Sequence, residues 1–120
     1  MKGITFPAWQ GSRYVTLAEL VVCLGDFALD LTWRVECEEI VDTRCVEMQK
    51  RSAEGDLDTL TLLSLTTPGF QMIDAQARGF AGEAAVVVLT EVDSSSWEIS
   101  AVDPAVLRPF RGRYRGVRAL

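Results

Sequence analysis

Apolar and polar residues change their period several times along this chain, and each change marks an element. Residues 4–9 form a short β-prone run that Pro7 interrupts, which suits an edge strand because proline gives no amide to a ladder. Thr16 and Glu19 stand at the spacing of a capping box, in which each side chain satisfies an open amide at a helix start. Behind them Leu17, Leu20, Val21, Leu24 and Ala28 recur at helical spacing and Gly25-Asp26 supplies a stop, predicting a helix over 17–26. The period then drops to two. Leu29, Leu31, Trp33, Val35 and Cys37 are apolar, whereas Asp30, Thr32, Arg34, Glu36 and Glu38 between them are polar. That pattern predicts an antiparallel strand over 29–38 with one apolar face and one wet face.

Residues 39–55 admit two readings. Val41, Cys45 and Met48 suit a helix, while 44–48 could pair back as a strand across a turn at Asp42-Thr43. Over 56–65 the leucines at 57, 60, 62, 63 and 65 suggest a short helix capped by Asp56 and ending before Pro68-Gly69, against which Thr59 and Thr61 weigh for strand. The remainder reads as a meander: loose alternation over 70–80, a turn at 79–82, and a β-branched run at 84–92 suited to a central strand buried on both faces. Asp93 to Ser96 then form a polar turn into a strand over 97–102. Asp103-Pro104 looks like a cap followed by proline at the first helical position, with Pro109 or Gly112 limiting that helix. The fold class expected is a single α+β domain, 1–120, with an antiparallel sheet of four to six strands, two or three short helices, and a basic tail at about 108–120.

Composition narrows the chemistry. At 120 residues, 48% of them apolar, one domain can bury roughly two-thirds of the surface of its unfolded chain without a metal or disulfide. No run approaches the roughly 20 apolar residues of a membrane span, and the N-terminus lacks the apolar stretch of a secretory signal; no membrane role and a cytoplasmic address are expected. There is no histidine, which excludes Ser-His-Asp and Cys-His catalysis and any imidazole-ligated zinc. Lysine occurs only at 2 and 50, leaving little scope for a Ser-Lys dyad. Cys23, Cys37 and Cys45 lack the CxxC spacing of metal knuckles and redox pairs, and read as small apolar filler. Cys45, in the most polar setting, would be the most reactive of them. No metal and no cofactor is expected.

Three acidic motifs each have an ordinary explanation. Asp93-Ser94-Ser95-Ser96 approximates a cation-binding spacing, but Trp97 falls where a ligand is needed and a serine-rich turn accounts for it. Asp56-Leu57-Asp58 resembles the start of a calcium loop, but Leu60 and Thr61 break it, and helix capping suffices. Glu91, Asp93 and Glu98 are the acids best placed to divide acid and base roles, with surface solvation as the plainer reading.

Charge distribution is more specific. Residues 26–58 hold ten acids and four bases, a net of −6, and the last thirteen residues hold five arginines and no acid. With 17 acids and 12 bases in all, the body without that tail carries −10 and the tail +5. Such a body attracts basic partners and repels phosphate backbones. The tail's arginines, interleaved with Phe110 and Tyr114, could track a nucleic acid. Pairing with the protein's own acids, or with a second copy in a homodimer, is the more economical account. The reading favoured is a non-enzymatic, acidic protein-binding module of the immunity or inhibitor type, neutralising a basic partner such as a bacterial toxin. The expected contacts are Asp30, Glu36, Glu38, Glu39, Asp42 and Trp97. A small carboxylate-based hydrolase or ligand-binding domain is the first alternative. A nucleic-acid accessory protein acting through the tail is the second, with nucleic acid disfavoured as a partner.

Overall fold

A computed structural model describes residues 1–39, 43–67 and 71–120. The chain opens with β1 (Lys2–Pro7), a small hairpin of β2 (Trp9–Gln10) and β3 (Arg13–Tyr14), then α1 (Leu17–Cys23) and the single turn α2 (Asp26–Leu29). There follow β4 (Thr32–Glu39), α3 (Arg44–Glu54), β5 (Leu57–Asp58) and α4 (Thr59–Thr66). The meander of β6 (Ile73–Ala81), β7 (Ala84–Val92) and β8 (Ser96–Ala101) leads through a 3-10 turn, Pro104–Leu107, into α5 (Arg108–Arg113) and β9 (Arg118–Ala119). One sheet takes the order β5-β4-β6-β7-β8-β1-β9, antiparallel throughout.

The single α+β domain is as expected, but the sheet has seven strands and there are five α-helices among the described residues. The excess consists of pieces too short to show a period: β5 and β9 are two residues each, and α2 is one turn. β1 is not the edge, since β8 flanks it fully and β9 pairs with Ile4 and Thr5 on its other side. Thr16 caps α1 by accepting from the Glu19 amide, but Glu19 turns its carboxylate to Arg13 and Tyr114 instead of closing the capping box, and the helix stops at Cys23 because Gly25, at φ +64°, turns the chain out of it. That turn starts α2, so β4 begins at Thr32, three residues later than the alternation implied, and Leu29 is 62% exposed.

Residues 44–54 are helical, and α3 does a second job. Ser52 Oγ accepts from the Val35 amide and Gln49 Oε1 from the Cys37 amide, so this helix satisfies the free edge of β4 where β5 has already ended. A Cys37–Cys45 disulfide ties the same two elements, and Cys45 is buried; these cysteines are neither filler nor reactive thiols. Cys23, half-buried, is the free one. The turn expected at Asp42-Thr43 involves a position outside the described residues. Asp58, not Asp56, caps the next helix by accepting from the Thr61 amide at 2.7 Å, a bond that also lowers its own pKa; Asp56 instead receives Arg34.

The core lies between one sheet face and the helices. Trp33 packs where Gly79 leaves room, since a Cβ there would sit 3.1 Å from the indole and 2.8 Å from Val87. Its ring N–H donates to Thr59 Oγ1, and that of Trp97 to the Val15 carbonyl, each at 2.9 Å, so both buried indoles keep a polar partner. β7 is central but buried on one face only, because Val86, Val88 and Thr90 on the other face are half-buried.

The basic tail is folded, not extended. Pro109 and Gly112 lie within α5 instead of ending a helix, because proline is tolerated in a first turn. Tyr114 stacks on Phe6 with centroids 4.5 Å apart, and Phe110 is buried beside them. The tail is further held by Glu19, whose carboxylate accepts from Arg13 and from the Tyr114 hydroxyl and lies 3.6 Å from Arg113. Burial pushes the Glu19 carboxyl up, but the hydrogen bonds from Arg13 and Tyr114 and the charges of Arg13 and Arg113 outweigh it and hold the group below its ordinary range.

A carboxyl depressed by folding stabilises the fold above its unfolded pKa, about 4.3 for glutamate, and loses that contribution as pH falls through the folded value. Glu19→Gln should therefore cost about 1–3 kcal/mol at neutral pH and progressively less between about pH 5 and pH 2, read from urea unfolding at each pH. A cost that did not change with pH would contradict the role given to the charge.

Candidate functional site on the open sheet face

Alternation sorts every strand residue to one face. Val35, Ala77, Leu89, Ile99 and Ile4 are paired across five strands and point into the core. The next row, Glu36, Gln76, Thr90, Glu98 and Thr5, must then point the other way. Its members are half-buried or exposed, and Gln76 Nε2 donates to Thr90 Oγ1 at 3.2 Å across the strands. A neighbouring row runs Arg34, Arg78, Val88, Ser100 and Gly3. Both arginines are engaged: Arg34 reaches Asp56 at 2.7 Å and lies over Phe80, and Arg78 reaches Glu36 at 2.9 Å.

Acids gather at one end of this face. Glu36, Glu38, Asp74 and Glu91, with Gln76, Thr90 and Val92, line a depression of about 240 Å³. Glu91 belongs to the core-facing row and is 1% exposed. Its Oε1 accepts from the amides of Ser94 (3.0 Å) and Asp74 (3.4 Å), and its Oε2 lies against the Tyr14 hydroxyl, which also reaches the Met72 carbonyl at 2.9 Å. Burial, with the bond to Glu91 and its charge, pushes the Tyr14 phenol well above its ordinary range, so it remains a donor. Asp74, at φ +48°, accepts from the Asp93 amide at 2.8 Å. The Asp93–Ser94 turn, with φ of +49° and +56°, has the two left-handed residues of a tight hairpin, and the buried carboxylate holds it in place.

The six expected contacts separate in this frame. Glu36 and Glu38 project from β4 on the open face at the depression. Asp30 is exposed but caps α2; four strand residues, roughly 13 Å, separate Thr32 from Glu36, so Asp30 stands at the far end. Asp42 and the side chain of Glu39 lie outside the described residues. Trp97 is a correction: at 1% exposure, paired with Glu91 and Phe6, it is core and contacts nothing outside. The alternation of Trp97, Ile99 and Ala101 with polar neighbours carries that signal. Trp9 is 48% exposed, held by its ring N–H to the Ser94 carbonyl at 3.1 Å, which sets an aromatic surface beside the same turn.

The acid trio Glu91, Asp93 and Glu98 does not converge, because Glu91 points inward, Glu98 outward and Asp93 sits in the turn. Among the described residues no three Asp, Glu or Cys side chains come together in a way that would hold a metal ion. Nothing in the local sequence singles out Asp74 or Gln76, because their place depends on β6 pairing between β4 and β7. Comparison with known proteins found no matching family model, curated protein or solved structure.

Tyr14→Phe leaves Glu91 Oε2 buried without its hydroxyl donor. The expected loss is about 1–3 kcal/mol of unfolding free energy. A neutral effect in denaturant titration would contradict this role for the pair.

Proposed function

We propose that this protein is a non-enzymatic binding module, of the immunity or inhibitor type, that docks a basic surface of another protein onto the acidic end of its open sheet face. The observation that carries the reading is the depression where Glu36, Glu38 and Asp74 meet on the open face of the sheet. Strand geometry spaces Glu36 and Glu38 about 6.6–6.8 Å apart, a separation at which arginine or lysine side chains of a partner can each meet a carboxylate. Trp9, half-exposed beside the turn that Glu91 holds, supplies an aromatic anchor at the margin.

A hydrolytic role is less well supported. It requires a buried acid with an oxygen free to exchange a proton with substrate, whereas both oxygens of Glu91 already hold protein donors. Nor do the tail's aromatics support a base-stacking role, since Phe110 and Tyr114 are buried.

The test is an oligo-arginine peptide titrated against the wild type and two double reversals of equal net charge. Glu36→Lys/Glu38→Lys should slow association about tenfold or more, and raising salt to the physiological range should do the same to the wild type. Glu54→Lys/Glu83→Lys, both exposed and remote from the depression, should have a much smaller effect. Equal effects of the two reversals would mean that net charge alone attracts the peptide, and would overturn the reading.

A further inference from the structure

Arg13, Arg34, Arg51, Arg78 and Arg113 each meet a carboxylate within 4.0 Å. Six other described cations, Lys2, Lys50, Arg108, Arg111, Arg115 and Arg118, have no ion-pair partner among the described residues, although acids outnumber bases 17 to 12, and Lys2, Arg108 and Arg111 are the three of them that come together. All three line one depression of about 620 Å³, which shares no lining residue with the acidic one.

This arrangement is made by the fold and not by a run of basic sequence. Lys2 comes from the start of β1, Ser100 from the open face of β8, and Arg108 and Arg111 from α5. The two arginines are three residues apart and so share one side of the helix, while Phe110 between them turns into the core. No aspartate or glutamate side chain lines the depression, whose lining also includes Met1 and Leu120. Three like charges around one concavity repel each other, and an anion placed among them relieves that repulsion. Guanidinium forks match the paired oxygens of a phosphate, and the lysine adds a point charge. The volume lies within the range of small-molecule sites, roughly 300–1,000 Å³, which exceeds the needs of a single free phosphate ion. The negative body does not forbid such a ligand, because charges beyond about 8–10 Å are largely screened at physiological salt.

We propose that this depression binds a small phosphorylated molecule, its phosphate held by Arg108, Arg111 and Lys2. The reading is independent of the docking of a basic partner on the acidic face. It is tested with inorganic pyrophosphate as the probe, titrated into the full chain at low salt and followed by calorimetry and by amide chemical shifts. Saturable one-site binding is expected, with shifts at Ser100 and along α5. Arg108→Gln/Arg111→Gln should weaken it about tenfold or more, and Lys2→Gln, from a different element, should weaken it as well. Because these side chains are exposed, unfolding midpoints should stay unchanged. Arg115→Gln/Arg118→Gln should bind as the wild type does. The proposal is overturned if pyrophosphate does not saturate a site, if the control pair weakens binding equally, or if oligothymidylate binds while pyrophosphate does not.

Discussion

Val35, Ala77, Leu89, Ile99 and Ile4 cross five strands in register, and the rest of the molecule depends on that row facing inward. Side chains on a strand alternate, so fixing these residues in the core sends Glu36, Gln76, Thr90, Glu98 and Thr5 to the opposite face. A slip of one residue would exchange the rows, exposing five apolar side chains and burying two carboxylates without partners. The cost of an unpaired buried charge is what locks the register. The open face is therefore polar as a direct consequence of the packing beneath it.

Other features protect the ends of the sheet. On the β4 side, Ser52 and Gln49 occupy edge groups that a foreign strand would need, and the Cys37–Cys45 bond holds α3 against them. On the β1 side, the two residues of β9 lie over the middle of the strand and Pro7 lacks an amide to donate. Strand addition is thus blunted at both ends, which leaves the polar side chains of the open face as the exposed part of the sheet. Glu91 links this face to the interior: buried among core residues, it binds the turn amide of Ser94, and the Asp93 amide beside it is held by Asp74.

The alternation over 32–38 is legible in the sequence because one strand carries it alone, and it places Trp33 in the core and Glu36 and Glu38 outside. The same pattern misleads at Leu29 and Asp30, where Gly25 starts a helical turn that local periodicity does not register. Trp97 looks like a surface anchor because a polar turn precedes it, yet its strand alternates like the others, and pairing with Glu91 and Phe6 buries it. The disulfide is hidden because a spacing of eight fits no motif, and only the packing of α3 on β4 brings the sulfurs together. Convergence is hidden for the same reason. Nothing in the order of residues places Asp74 beside Glu38, or Lys2 beside Arg108, until the strands are paired.

The central claim is that the face left open by this register is where a basic partner binds. Amide chemical shifts of the labelled protein, recorded as an oligo-arginine peptide is added, test it most directly. The account predicts perturbations confined to β4, β6 and β7 around Glu36, Glu38 and Asp74, extending to the turn beside Trp9. Perturbations centred instead on the helical side, around exposed Val22 of α1 and Leu60 of α4, would contradict it.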